Sequence, residues 1–236
     1  MSINRPEAYQ HLEEIDLLAE LVPMAGLEVL ELGCGAAWTT RQLVERLGAA
    51  AVTATEVDRI QHEQNLGLTG LPQVSFRYGG AEAIADPDGT YDLAIMLKSL
   101  HHVPVHLMDQ ALTEIHRVLK PGGRLYCSEP VYWGPFNEVR RLIQDEQVVR
   151  EAAFAALQRA VASGLFTLEA EVFFQSAGTY PDWPSFESRF IRVTHSERNL
   201  DADQLAAIRA AFERHLTPTG ARFEKPHRVD LLRRVP

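Results

Sequence analysis

Apolar residues recur at two different spacings along this chain, and each change of spacing marks an element. From Glu7 to Val22 they fall at Leu12, Ile15, Leu18 and Val22 with acidic residues between them. That spacing predicts an amphipathic helix, stopped by Pro23 and Gly26. Leu27 to Leu32 is a short apolar run ending in Gly33-Cys34-Gly35, which predicts a strand leading into a turn. Helix-forming residues follow from Trp38 to Leu47, closed by Gly48. Ala50 to Val57, Gln73 to Tyr78 and Tyr91 to Leu97 are further β-prone runs, the last nearly all apolar as for a strand buried on both faces. Helical spacing returns from Val105 to Leu119, then Pro121-Gly122-Gly123 predicts a turn and Arg124 to Ser128 a fifth strand.

This βα alternation, from about residue 27 to 130, implies right-handed crossovers and a parallel sheet with helices on both faces. Ligands of such sheets bind at the carboxyl ends of the strands, near the point where strand order reverses. Farther on, Phe136 to Ser163 predicts one long helix, Glu169 to Phe174 a strand, Asp201 to Leu216 another amphipathic helix, and Arg222 to Val235 a final strand. Between Tyr180 and His195, Trp183, Phe186 and Phe190 have the spacing of core residues. No linker is rich enough in Gly, Ser or Pro to cut off a second domain. The expectation is a single domain over 1–236, with a helical lid at 1–26, a ligand-binding core at 27–130 and a substrate side at 131–236.

Composition narrows the class. With 236 residues, 46% hydrophobic and 23% charged, the chain reads as globular and not as disordered, collagenous or coiled-coil. Cys34 and Cys127 lie far apart and fit neither a disulfide framework nor a zinc site, so no metal and a reducing, cytoplasmic setting are expected. Met1 to Gln10 has no apolar signal core, and no run approaches the length of a membrane span. The net charge of -9 counts against nucleic-acid binding. It is unevenly spread: from Ser185 onward 10 basic residues face 7 acidic ones. Such a tail either meets an acidic substrate or partner or forms a solvated face.

The strongest signal is the segment Val29-Leu30-Glu31-Leu32-Gly33-Cys34-Gly35-Ala36-Ala37-Trp38. A glycine turn between strand and helix lets a ligand approach the backbone. A dinucleotide site wants a third glycine where this chain has Trp38. Glu31 would repel a pyrophosphate but suits an ammonium group. Glu56 ends the second strand about 20 residues past Gly35, where a carboxylate takes both hydroxyls of a ribose. Asp58, its competitor, suits the cap of the next helix.

With these residues the chain resembles the class I S-adenosylmethionine-dependent methyltransferases, of the small-molecule kind that includes the quinone-biosynthesis enzymes. The matching blocks are Glu31-Leu32-Gly33-Cys34-Gly35, Glu56, Gly79-Gly80-Ala81-Glu82-Ala83-Ile84, Tyr91-Asp92-Leu93, Leu100-His101-His102-Val103 and Val118 to Leu125, in family order. The resemblance implies a Rossmann-like, doubly wound α/β fold with seven strands, the last antiparallel. It implies that Glu31 and the backbone of Gly33, Cys34 and Gly35 hold the methionine part, and that Glu56 binds the ribose. Val57 and Ile60 would flank the adenine, whose edge would meet Gly80, Ala81 and Glu82. The carbonyl of Leu97 or Lys98 would accept from the ammonium. Two positions depart from the pattern. Ala37 stands where the family usually has glycine, and Gly80 where it often has an aspartate on the adenine amino group; either Glu82 or Asp86 would substitute, or cofactor binding would be weaker.

Transfer from an activated sulfonium needs positioning more than acid–base help. A base is required only if the acceptor must lose a proton. His101 and His102, after the fourth strand, are candidates for that base, with His102 preferred, or else they shape the loop. Lys98 either recognises a carboxylate or phosphate on the substrate or reaches solvent along its stem. Tyr132 and Trp133 offer an apolar wall, or pack under the next helix. Asn137, Arg141 and Asp145 share a helix face at i, i+4, i+8, as a recognition stripe or a solvated one. Tyr9 and His11 sit on the first predicted helix as a lid, or as a surface pair. The expected function is methyl transfer to O, N, C or S of a small molecule. A non-catalytic S-adenosylmethionine-binding protein and a nicotinamide-dependent oxidoreductase are the alternatives. Oligomeric state stays open, a homodimer included.

Overall fold

The computed structural model describes residues 1–192 and 200–235. In chain order its strands are β1 (Gln10–His11), β2 (Glu28–Leu32), β3 (Ala51–Glu56), β4 (Val74–Tyr78), β5 (Tyr91–Leu97), β6 (Leu119–Pro130), β7 (Phe166–Tyr180), β8 (Leu216–Thr217) and β9 (Gly220–Arg234). Its α-helices are α1 (Glu14–Leu21), α2 (Trp38–Glu45), α3 (Arg59–Leu66), α4 (Met108–Val118), α5 (Gly134–Ile143), α6 (Gln147–Ala162), α7 (Trp183–Phe190) and α8 (Ala202–Glu213). The sheet runs β1-β7-β9-β6-β5-β2-β3-β4, with β8 paired to β9. The strands β2 to β6 pair in parallel, whereas β9 is antiparallel to both β6 and β7. The seven long strands and the antiparallel last one match the doubly wound expectation; β1 and β8 add two residues each.

Strand order reverses between β2 and β5, because β3 and β4 lie to one side of β2 and β5 and β6 to the other. The residues of β5 alternate between the two faces. Ala94 and Met96 join Leu30, Leu112, Ile115 and Leu125 in one core, against α4 and α6. Leu93 and Ile95 join Val29, Leu43, Val52 and Tyr126 in the other, with α1 and α2. Burial on both faces explains why this strand reads as a continuous apolar run. A third core gathers Tyr180, Trp183, Phe186, Ile208, Phe212 and Phe223, with Phe190 packed against it, where α5, α7 and α8 cover the far end of the β7–β9 ribbon. The aromatic residues after Tyr180 are therefore core, as their spacing predicts; positions 193–195 of that stretch lie outside the described residues.

Four elements differ from the sequence expectation. The helix expected over Glu7 to Val22 begins only at Glu14, because Gln10 and His11 are extended and pair with Phe174 and Gln175 of β7. The Tyr9 ring is held against Trp133 at 5.2 Å, so tertiary contact overrides the local period. The single helix expected over Phe136 to Ser163 is two. Gln144 turns extended, the Asp145 carboxylate accepts from Gln147 N at 3.0 Å, and the buried Glu146 lies between Arg140 and Arg150. The Pro121-Gly122-Gly123 turn is a bulge inside β6, where pairing jumps from Tyr91↔Leu119 to Leu93↔Arg124. Finally, β7 runs from Phe166 to Tyr180, well beyond Glu169 to Phe174, because β9 pairs along its whole length despite its polar residues Gln175, Ser176 and Thr179.

Candidate functional site

The turn after β2 occupies the switch point. Gly33 and Gly35 have φ of 78° and 52°, and Ala37 adopts the left-handed conformation at 59°. Close approach is a second demand on Gly33: a Cβ there would lie 2.9 Å from Ser99 Cβ, on the loop after β5. Ser99 Oγ fastens the two strand ends by donating to Leu32 O at 2.8 Å. No side chain caps α2, so its first N–H groups face the turn unshared with a capping side chain. Trp38 is 65% exposed and does not fill the crevice.

Two carboxylates flank this turn. Glu31 is buried, and its Oε2 accepts from Thr40 Oγ1 at 2.6 Å. Burial lifts its pKa to about 7, opposed by the Thr40 hydrogen bond. Glu56 is also buried and closes the end of β3 over the turn. Its Oε2 accepts from Gly35 N at 2.8 Å, and its Oε1 from Val57 N and Asp58 N at 2.8 and 2.9 Å. Buried Asn65 donates to Gly35 O at 2.7 Å. The Cys34 thiol is pushed up to about 12 by burial first, then by Glu31 and Glu56, so it is an inert part of the wall.

Val57 and Ile60 are both 59% exposed, two apolar side chains at the edge of the crevice. Asp58 caps α3, accepting from Ile60 N at 2.9 Å. Ala81 is buried beside the half-exposed Gly80 and Glu82. The space that a side chain at Gly80 would fill is held by the Glu82 carboxylate. Asp86 is taken up by Arg77 at 2.6 Å, which leaves Glu82 as the free carboxylate of that turn.

Past β5, Lys98 adopts a left-handed φ of 57° and its ammonium pairs with Glu14 of α1. His101 is buried against Glu129, whose other oxygen accepts from Leu100 N at 2.9 Å. His102 lies beside His101 with ring centroids 4.1 Å apart and the planes tilted by 41°, and it is exposed on its outer side. The protein around its inner side, then the neighbouring imidazole, lower its pKa.

The substrate candidates separate. Asn137 is buried and lines a cavity of about 340 Å³ together with Lys98. Tyr132 lines a second cavity of about 240 Å³. Trp133 instead stacks on Tyr9, whose hydroxyl donates to Asn4 at 2.8 Å. Arg141 faces solvent and pairs with Glu138 at 2.8 Å. With Asp145 in the interhelical loop, the expected stripe Asn137–Arg141–Asp145 does not exist. His11 is exposed on β1 and does not sit on a lid helix. Sequence reading missed Thr40, Asn65 and Glu129, which only folding brings to the site. Arg189 and Lys225, part of the basic excess noted after Ser185, also line the cavity of Asn137 and Lys98.

Residues 29–123 match the family described as methyltransferase domain. Among curated relatives, the chain is 32% identical over 120 residues to a demethylmenaquinone methyltransferase of Lysinibacillus sphaericus, covering 48% of this chain and 49% of that one. It is 34% identical over 112 residues to a ubiquinone biosynthesis O-methyltransferase of Ruegeria pomeroyi, covering 45% and 42%. The matches thus span about half the length of these relatives. The likeness in fold to solved structures extends farther. A crystal structure of the YcgJ protein from Bacillus subtilis superposes with a TM-score of 0.69 at 18% identity, over 94% of this chain and 98% of that one. A SAM-dependent methyltransferase structure from Methanosarcina mazei superposes at 0.58 with 15% identity, over 96% and 99%. Among the described residues no helix is long and apolar enough to cross a membrane, and no cluster of His, Cys, Asp or Glu could hold a metal.

Proposed function

We propose that this chain is an S-adenosylmethionine-dependent methyltransferase acting on a small-molecule acceptor. The observation that carries the proposal is the pair of buried carboxylates, Glu31 and Glu56, on either side of the glycine turn where strand order reverses. This donor set fits the cofactor. A buried carboxylate whose pKa is lifted to about 7 lacks a cation, and an amino-acid ammonium is one. Glu56 is an acceptor-only group suited to a diol. Glu82, folded into the space beside Gly80, offers the acceptor for an adenine amino group that the family's aspartate would give. Three carboxylates are a poor bed for a pyrophosphate, which weighs against the nicotinamide alternative.

S-adenosylmethionine supplies, when bound, a methyl group already activated by a sulfonium. The chain's part is to hold and orient. Glu31 and the Gly33-Cys34-Gly35 backbone take the methionine portion, with the carbonyl of Leu97 or Lys98 as a further ammonium acceptor. Glu56 takes the ribose, and Val57 and Ile60 sandwich the base with the turn Gly80-Ala81-Glu82 at its edge. His102 takes a proton when the acceptor must lose one. The Glu129 carboxylate fixes the His101 ring beside it, and protein bulk keeps His102 neutral and able to accept. The described residues from 131 onward form the acceptor side of one domain, and residues 1–26 close the cleft through the Glu14–Lys98 contact. The names of the quinone-biosynthesis relatives support a small-molecule acceptor. The two buried, unpaired cysteines support a cytoplasmic setting.

Calorimetry with S-adenosylmethionine and S-adenosylhomocysteine tests the reading. Both bind the wild type, and Glu56→Ala weakens both about 10-fold or more, the worth of a charge-assisted hydrogen bond. Failure of either ligand to bind the wild type rejects it.

A further inference from the structure

The cavity of about 340 Å³ at the carboxyl ends of β5 and β6 has a charge pattern that methyl transfer alone does not require. Its wall takes Lys98 from the end of β5, Arg140 from α5, Arg150 from α6, Arg189 from α7 and Lys225 from β9, and no described carboxylate lines it. Carboxylates behind the wall balance part of this charge. Glu146 lies 2.6 Å from Arg150 and 3.8 Å from Arg140, and Glu14 pairs with Lys98. Among the described residues neither Arg189 nor Lys225 has a carboxylate partner. Lys225 Nζ instead lies over the rings of Phe136 and Tyr180, 5.1 and 5.4 Å from their centroids. Burial, followed by the fields of Arg189, Lys98 and Arg140, brings its pKa down to about 8. Cations that depress one another's protonation are stabilised by an incoming anion.

A second observation is independent of charge. Asn137 is only 4% exposed; its Oδ1 accepts from Arg150 Nη1 at 3.1 Å, yet its Nδ2 has no partner. Arg150 Nε is likewise buried without an acceptor. Both are donors that can be satisfied only by an acceptor. Apart from Ser176 and the buried His227, the rest of the wall is apolar: Pro130, Val131, Pro226 and the rings of Phe136 and Phe190, which meet edge to face at 5.7 Å. The cavity also borders the methyl-transfer cleft, because Lys98 immediately precedes Ser99, the residue that fastens the β5 loop to Leu32.

We propose that this cavity is the acceptor subsite and that the methyl acceptor is a small molecule with an apolar or aromatic body and an oxyanion, carboxylate or phosphate, held by Arg189, Lys225 and Asn137. The proposal rests on the methyltransferase reading. It gives the basic excess after Ser185 a task, and it adds Arg189 and Lys225 as specificity-determining residues.

Calorimetry on the full chain uses three probes: 4-hydroxybenzoate, phenyl phosphate and the neutral 4-hydroxybenzamide. S-adenosylhomocysteine is titrated in parallel. At least one anionic probe is expected to bind about 10-fold tighter than the amide, the worth of one charged hydrogen bond. The ranking of benzoate against phosphate tells which oxyanion the site takes. Lys225→Gln and the exposed Arg189→Gln each remove most of that preference and leave S-adenosylhomocysteine affinity unchanged, whereas Arg209→Gln, on α8 and paired with Glu213, changes neither. Equal binding of amide and anions, or an anion preference that survives in both cavity variants, overturns the proposal while normal S-adenosylhomocysteine binding keeps the methyltransferase reading. Loss of S-adenosylhomocysteine binding in the wild type overturns that reading, and with it the cavity's role as acceptor site.

Discussion

Glu31 shows how one buried side chain links stability, pH and ligand charge. Its ordinary pKa of 4.5 rises to about 7 because burial penalises the carboxylate. A raised carboxylate contributes stability that is fully present below pH 4.5 and is lost as pH rises through about 7. The shift corresponds to about 3 kcal/mol. The denaturant midpoint of the ligand-free protein should therefore fall across that window, and Glu31→Gln should flatten the fall. An ammonium placed beside Glu31 favours its ionised form, so cofactor binding near pH 6 should release close to one proton. Calorimetry in two buffers of different ionisation enthalpy reads that proton directly, and Glu31→Gln should abolish it. Glu82 makes a second case at this scale. Its carboxylate occupies the space beside Gly80, so Glu82→Ala should weaken S-adenosylhomocysteine about 10-fold, as for loss of a hydrogen bond to a charged acceptor. Adding Gly80→Asp to that variant should restore much of the loss, whereas Gly80→Asp alone collides with Glu82. Titration of the three variants checks this.

At the scale of elements, what the sequence makes legible is what depends on neighbours along the chain. The period-3.6 pattern of α4, the two-sided burial of β5 and the contiguous Glu31–Gly35 turn are all local, and all are readable. The break between α5 and α6 is not. It exists because Glu146 is wedged between an arginine of each helix, a three-residue arrangement that no helical period records. The same holds for the extended Gln10–His11, which depends on an edge offered by β7, and for the cavity wall, which seven separate segments build. The α5–α6 break gives a prediction. Burial opposes ionisation of Glu146, but Arg150 and its hydrogen bond, with His101 and Arg140, hold its pKa below the usual value. Its contribution is therefore present above pH 4.5 and is lost as pH falls through the depressed pKa. Glu146→Ala removes the buried carboxylate that pairs with Arg150 and should cost about 3 kcal/mol in denaturant unfolding. It should also tighten 4-hydroxybenzoate, because the cavity gains net positive charge.

Over the whole molecule, one sheet edge sorts charge. Carboxylates gather at the ends of β2 and β3, and cations around the cavity past the end of β5, from α5, α6, α7 and β9. The chain as a whole carries -9, yet its last segment from Ser185 is net positive, and that segment supplies Arg189 and Lys225. Two ligands of opposite charge can then meet with the sulfonium on the acidic side and the oxyanion on the basic side. Attraction on each side is partly long-range, so salt should separate these forces from the contact terms. The Debye length falls from ~10 Å at 0.1 M to ~3 Å at 1 M salt. Over that range 4-hydroxybenzoate should lose several-fold in affinity, and S-adenosylmethionine, with its sulfonium, should lose more than the uncharged-sulfur S-adenosylhomocysteine. The amide probe should not change. Titrations at the two salt concentrations decide it: if all four ligands weaken equally, the sorting of charge along the edge plays no part in binding, and shape alone selects the acceptor.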